Sequence, residues 1–129
     1  AVKHDLRWLE RWGMVYYGCC EPLDRKIEVL RRIPNLRKIS ASYWCKVDRL
    51  VDKVGKDLVL SHKPTPALFA RDDWHPDLAR KELRAFLDQT RGKCQVEVIM
   101  KDISTVRYKP QRLWEWEKAA MEVVQEFAA

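Results

Sequence analysis

Apolar residues recur along this chain in two alternating rhythms: short β-rich runs, and longer stretches with helical spacing. The runs Val15-Tyr16-Tyr17, Leu36-Arg37-Lys38-Ile39-Ser40, Asp57-Leu58-Val59-Leu60-Ser61 and Gln95-Val96-Glu97-Val98-Ile99-Met100 read as strands bounded by turn chemistry. After the second run, Ser42 is positioned to cap a helix from Tyr43 to Val54. Trp44, Val47, Val51 and Val54 fall on one face of it, and Gly55 supplies a stop. A second helix is predicted from Pro76 to Thr90, with Leu78, Leu83, Phe86 and Leu87 inward. The last opens at Pro110, a residue suited to a first helical turn, and Leu113, Trp116, Ala120, Val124 and Phe127 form its stripe. The crossover from Leu23 to Ile33 offers Ile27, Leu30 and Ile33 to a core. A short helix, Leu6 to Arg11, precedes the first strand.

Strands that alternate with helices at this spacing predict an α/β fold with parallel strands and right-handed crossovers. The pattern alone leaves open a flavodoxin-like sheet or barrel units. The whole chain, 1–129, is expected to be one domain. A hydrophobic share of 47% and a charged share of 34% support a real core and argue against disorder. No apolar run approaches the roughly 18 residues of a membrane helix, and the N-terminus lacks a signal peptide's apolar stretch. A cytoplasmic protein with no membrane partner is expected. The start at Ala1, just before a strand, suits a piece of a longer protein.

The net charge of +6 permits anionic partners without requiring them. Arg31-Arg32 and Arg37-Lys38 flank a predicted turn, and no nucleic-acid-binding signature accompanies them, so no nucleic acid is expected. The four cysteines, Cys19, Cys20, Cys45 and Cys94, include no CxxC pair and suit free thiols. No GxGxxG or Walker motif is present, which counts against a dinucleotide-binding or P-loop domain.

The stretch from Asn35 to Ala70 resembles the uroporphyrinogen decarboxylase and cobalamin-methyltransferase superfamily. Two pieces carry the likeness: Leu36-Arg37-Lys38-Ile39-Ser40-Ala41-Ser42-Tyr43-Trp44, and the run from Val54-Gly55 through Ser61-His62-Lys63-Pro64 to Leu68-Phe69-Ala70. Lys101 to Trp116 is similar to the family's last strand, loop and helix. The resemblance implies four consecutive parallel βα units, the C-terminal half of a TIM (β/α)8 barrel. One branch of the family decarboxylates a porphyrinogen without a cofactor. Another moves a methyl group between a corrinoid protein and a zinc-activated thiol, using a His-x-Cys on the strand equivalent to the first one here. Tyr17-Gly18-Cys19 stands in that place, and Asp102 stands where the family has a second cysteine or a histidine.

Barrel chemistry sits at the C-terminal ends of strands. That rule singles out Cys19-Cys20-Glu21, then Ser40 and Ser42, then Ser61-His62-Lys63, then Lys101-Asp102 with Arg107. Catalytic roles are expected for Cys19, His62 and Asp102, and substrate contacts for Ser40, Ser61, Lys63 and Arg107. The resemblance implies Cys19, Cys20, Glu21 and Asp102 as candidate donors for a zinc ion, with His62 a further candidate, and a corrinoid supplied by a partner protein; the plainer reading is a cysteine packed at a strand end and a solvated Glu21. Each residue has a plainer alternative: His62 as a solvent-facing loop histidine, Asp102 as a local partner of Lys101, Ser42 as a helix cap. The leading expectation is methyl transfer in the full-length protein. A cofactor-independent decarboxylase of a carboxylated tetrapyrrole is the alternative, and a catalytically silent binding or scaffold protein is a third. A half barrel is expected to be inactive alone and to close as a homodimer, covering an apolar sheet face and two parallel edge strands.

Overall fold

The computed structural model describes residues 2–128. In chain order the elements are α1 (Val2–Leu9), β1 (Val15–Tyr17), α2 (Ile27–Leu30), β2 (Leu36–Ser42), α3 (Val47–Val54), β3 (Val59–Lys63), α4 (Ala67–Ala70), α5 (Pro76–Thr90), β4 (Gln95–Val98) and α6 (Gln111–Ala128). The fold is α/β, with one four-stranded sheet in the order β1-β2-β3-β4 and every pairing parallel. The chain groups into two compact units. The first runs up to Lys63 and adds Gly92–Ile99; the second comprises Pro64–Arg91 and the chain from Met100 on.

The first unit holds the sheet with α1, α2 and α3. Ile27, Leu30 and Ile33 are buried as their spacing requires, although only Ile27–Leu30 is helical. The Arg31 guanidinium ends that crossover. It donates to the carbonyls of Lys53 and Val54 at the end of α3 and makes a forked pair with Asp57 at 2.8 and 3.1 Å. A cation is well placed there, because the last carbonyls of a helix are unsatisfied and carry its negative pole. Gly55 then turns the chain with φ of 63°, a left-handed conformation that side chains resist.

Several expectations shift here. The helix after β2 begins at Val47 rather than Tyr43. Ser42 is the last residue of β2, with its hydroxyl 3.6 Å from the Cys45 thiol, so it caps no helix. Trp44 is largely exposed, and Leu50 joins Val51 and Val54 on the buried face. β3 lies two residues further along than expected and ends on Lys63. α1 covers Val2–Leu9 rather than Leu6 to Arg11, and β4 stops at Val98.

The second unit is built on α5 and α6, which pack on each other. Pro76 opens α5 at a position where its missing N–H costs nothing. The Thr90 hydroxyl closes the helix by donating back to the carbonyls of Phe86 and Leu87. Arg80 pairs with Glu122 at 2.6 Å and Arg84 with Glu126 at 2.7 Å, two helical turns of matched charge. The inward stripe of α6 is Arg112, Trp116, Ala119, Ala120 and Val123: Trp116 and Ala120 are buried as expected, Arg112 and Val123 take the places expected for Leu113 and Val124, and Leu113 is partly exposed. In α5, Ala79 is buried where Leu78 was expected, beside Leu83, Phe86 and Leu87. Phe69 of α4 is fully buried, its ring stacked on Trp74 at 5.2 Å and tilted against Trp116 at 6.5 Å.

Candidate functional site

In the first unit, alternation along the strands sorts the candidate residues onto two faces. Tyr16 is in register with Lys38, Ser40 with Ser61, Ser42 with Lys63, and Ser61 with Glu97. In-register neighbours share a face, so these polar residues form one surface. The opposite face carries Ile39, Leu60 and Val96 in register, then Ala41, His62 and Val98. The expected tip Ser61-His62-Lys63 is therefore split. Ser61 and Lys63 lie on the polar face, and His62 lies on the apolar one.

The polar face is a connected network. Lys63 Nζ donates to Ser61 Oγ at 2.9 Å, and Ser61 Oγ donates to Glu97 Oε1 at 2.7 Å. Lys38 Nζ meets both Glu97 oxygens at 3.0 and 3.2 Å. Both ammonium groups also stand over the Tyr16 ring, at 4.6 Å for Lys38 and 5.5 Å for Lys63. The Ser61 hydroxyl and the Lys38 ammonium hold the Glu97 carboxyl below its ordinary range. Ser61 and Lys63 are both buried.

At the end of β1 the half-buried Cys19 is fixed through its backbone. Its N–H donates to Ser40 Oγ at 2.8 Å, and the same hydroxyl donates to the Cys19 carbonyl at 2.8 Å. The Cys19 sulfur accepts the Glu21 N–H at 3.3 Å. One turn on, the Leu23 N–H donates to the Cys45 sulfur at 3.3 Å, tying the loop after β1 to the loop after β2. Cys20 is exposed. Glu21 is exposed and ion-paired with Lys26, whose hydrogen bond and charge keep its carboxyl below the usual range.

His62 is 5% exposed. Burial, with the Lys63 charge adding to it, pushes its pKa from 6.5 down to about 4, so its imidazole is neutral at physiological pH. Its backbone carbonyl accepts the Ile99 N–H at 3.0 Å. The expected solvent-facing alternative does not describe this side chain.

Asp102 and Arg107 belong to the second unit. Both are exposed and both adopt left-handed backbone conformations, with φ of 58° and 55°, as does the fully exposed Tyr108 at 57°. Asp102 pairs with Lys101 at 2.8 Å, the local partner that its position suggested, and Arg107 pairs with Asp72. Among the described residues, no group of three or more His, Cys, Asp and Glu side chains is gathered to hold a metal ion. Cys19, Cys20 and Glu21 thus do not by themselves fit zinc, since a zinc site needs three or four donors at about 2.0–2.3 Å.

Lys38, Glu97 and Tyr16 were not singled out from the sequence. The available signal was polar residues at every second position, Lys38-Ser40-Ser42 and Ser61-Lys63, marking a polar face rather than a tip. Replacing Glu97 with Gln should lower stability by about 1–2 kcal/mol, because Lys38 loses its counter-charge in a partly buried setting. The double variant Lys38→Met, Glu97→Leu should recover part of that loss. Urea midpoints measure both, and an unchanged midpoint for Glu97→Gln would show that the network does not support the fold. No family model matches the chain, and neither does any curated protein or solved structure.

Proposed function

We propose that these residues are four consecutive βα units of a barrel like that of the uroporphyrinogen decarboxylases, and that the intact protein serves corrinoid-linked methyl transfer. The strand order supports the barrel. It runs β1-β2-β3-β4 without reversal, whereas a doubly wound sheet reverses at a switch point. The observation that carries the functional reading is the pinning of Cys19 at the end of β1 by Ser40, at the rim of a face bearing Lys38, Ser61 and Lys63. In this reading Cys19 is the family's reactive-site cysteine. Ser40, Ser61 and Lys63 hold an anionic group of the substrate, and His62 supports the site from the apolar face. The corrinoid arrives on a partner protein, and a cytoplasmic setting goes with that chemistry. No helix among the described residues is long and apolar enough to cross a membrane.

Metal content with and without Cys19→Ala is the direct test. One zinc per chain at neutral pH with reductant present, lost in Cys19→Ala, is expected if a zinc-activated thiol is used. Absence of zinc from the wild type removes that version. One observation favours the decarboxylase alternative: the polar face sets two ammonium groups against one carboxylate, and the surplus charge suits a carboxylated tetrapyrrole. Titration with a porphyrin should then shift its absorption band, and Lys63→Met should abolish the shift. Failure of both tests leaves a catalytically silent binding protein.

We also propose closure by a second copy, with β1 and β4, the outer strands, each pairing across the two-fold. The driving force would be edge pairing more than apolar burial, since one sheet face is polar. A folded 15.4 kDa species at micromolar concentration in sedimentation would rule the dimer out.

A further inference from the structure

The second unit carries a cleft of about 400 Å³ lined by Asp72, Trp74, Lys109, Gln111, Arg112 and Glu115. We propose that it binds a small oxyanion, a phosphate or carboxylate group, at Arg112 and Lys109. This inference is independent of the barrel and of methyl transfer.

The argument starts from a buried charge. Arg112 is 2% exposed, yet its hydrogen-bond partners among the described residues are carbonyls, with the Trp74 ring 5.9 Å from its guanidinium. One terminal nitrogen donates to Phe69 and Arg71, each at 2.6 Å, and the other reaches Asp72 at a long 3.5 Å. Its Nε is buried with no hydrogen-bond partner among the described residues. Carbonyl dipoles orient a guanidinium but do not neutralise it, and a buried cation without a counter-ion is costly. Of the carboxylates beside it, Asp72 pairs with Arg107, and Glu115 accepts the neutral Trp74 indole N–H and keeps its charge. Arg107, Lys109 and Arg112 against Asp72 and Glu115 leave the cleft with a surplus of one positive charge. It lies at the start of α6, whose first turn carries no acidic residue and whose positive pole adds to the attraction. A guanidinium fork matches two oxygens of a phosphate or carboxylate, and Gln111 offers a further amide donor. Trp74, stacked on Phe69, gives the cleft a rigid aromatic wall.

Calorimetric titration with inorganic phosphate and, separately, with citrate tests the site at constant ionic strength. Saturable binding of at least one anion is expected, and the tighter of the two identifies the group recognised. Lys109→Glu changes an exposed residue and should leave the circular dichroism unchanged. It should weaken binding at least about tenfold, the loss of one charged hydrogen bond. Arg112→Lys keeps the charge and removes the fork; if it folds, it should weaken binding as well. No saturation by either anion up to about 10 mM, or wild-type affinity in Lys109→Glu, would overturn the proposal.

Discussion

Replacing Phe69 with alanine is expected to cost about 3–5 kcal/mol, the range for removing a fully buried aromatic ring. The ring is held between Trp74 and Trp116, so a cavity opens where α4 meets α6 and the surroundings can only partly collapse into it. Domains of this size are typically stable by only about 5–15 kcal/mol, so the loss should move the urea midpoint by roughly 2 M. Trp114→Ala is the control. That indole is mostly exposed, and its removal should change stability by no more than about 0.5 kcal/mol. Equal effects from the two substitutions would mean that Phe69 does not anchor the second unit.

Acid should destabilise the protein through His62. Burial holds its folded pKa at about 4, against 6.5 when exposed. Between those values the unfolded chain takes up a proton that the folded one refuses, so stability rises with pH across this window. The contribution is fully present above pH 6.5 and is lost as pH falls towards 4. At 1.36 kcal/mol per pKa unit it amounts to about 3 kcal/mol. Stability of the wild type minus that of His62→Gln isolates it, because carboxylates common to both proteins cancel. That difference should be flat above pH 7 and fall by about 3 kcal/mol between pH 6.5 and 4. A difference independent of pH would mean that the imidazole is not desolvated.

Where apolar periodicity governs structure, the sequence was a good guide. Val15–Tyr17 and Pro76–Thr90 form the strand and helix expected, and Ile27, Leu30 and Ile33 are buried. It misled where polar side chains take core positions. β3 was expected to stop at Ser61 because His62 and Lys63 look like loop residues. In the fold Lys63 reaches Ser61 on a face built for polar groups, while His62 is tolerated on the apolar side as a neutral ring. In α6 Trp116 and Ala120 face inward as expected, and the first turn departs for a similar reason. Arg112, held by the carbonyls of Phe69 and Arg71, takes an inward position that hydrophobic periodicity gives to Leu113. Cys19 and Ser40, read from the sequence as two separate strand tips, are joined by hydrogen bonds between the Cys19 backbone and the Ser40 hydroxyl. The Glu97 network was not legible, because its members lie far apart in sequence and each looks like an ordinary surface charge on its own.

The chain leaves the first unit at Lys63, re-enters at Gly92 and leaves again after Ile99. A nascent chain would therefore expose the outer edge of β3 until β4 emerged, about thirty residues later. At roughly 5–20 residues per second that is a wait of a few seconds. An open parallel edge invites pairing with other chains, and a lysine on such an edge discourages it. Lys63 ends β3 and so stands on this edge during the interval. The residue that joins the polar face of the finished sheet would first serve as its gatekeeper on the ribosome.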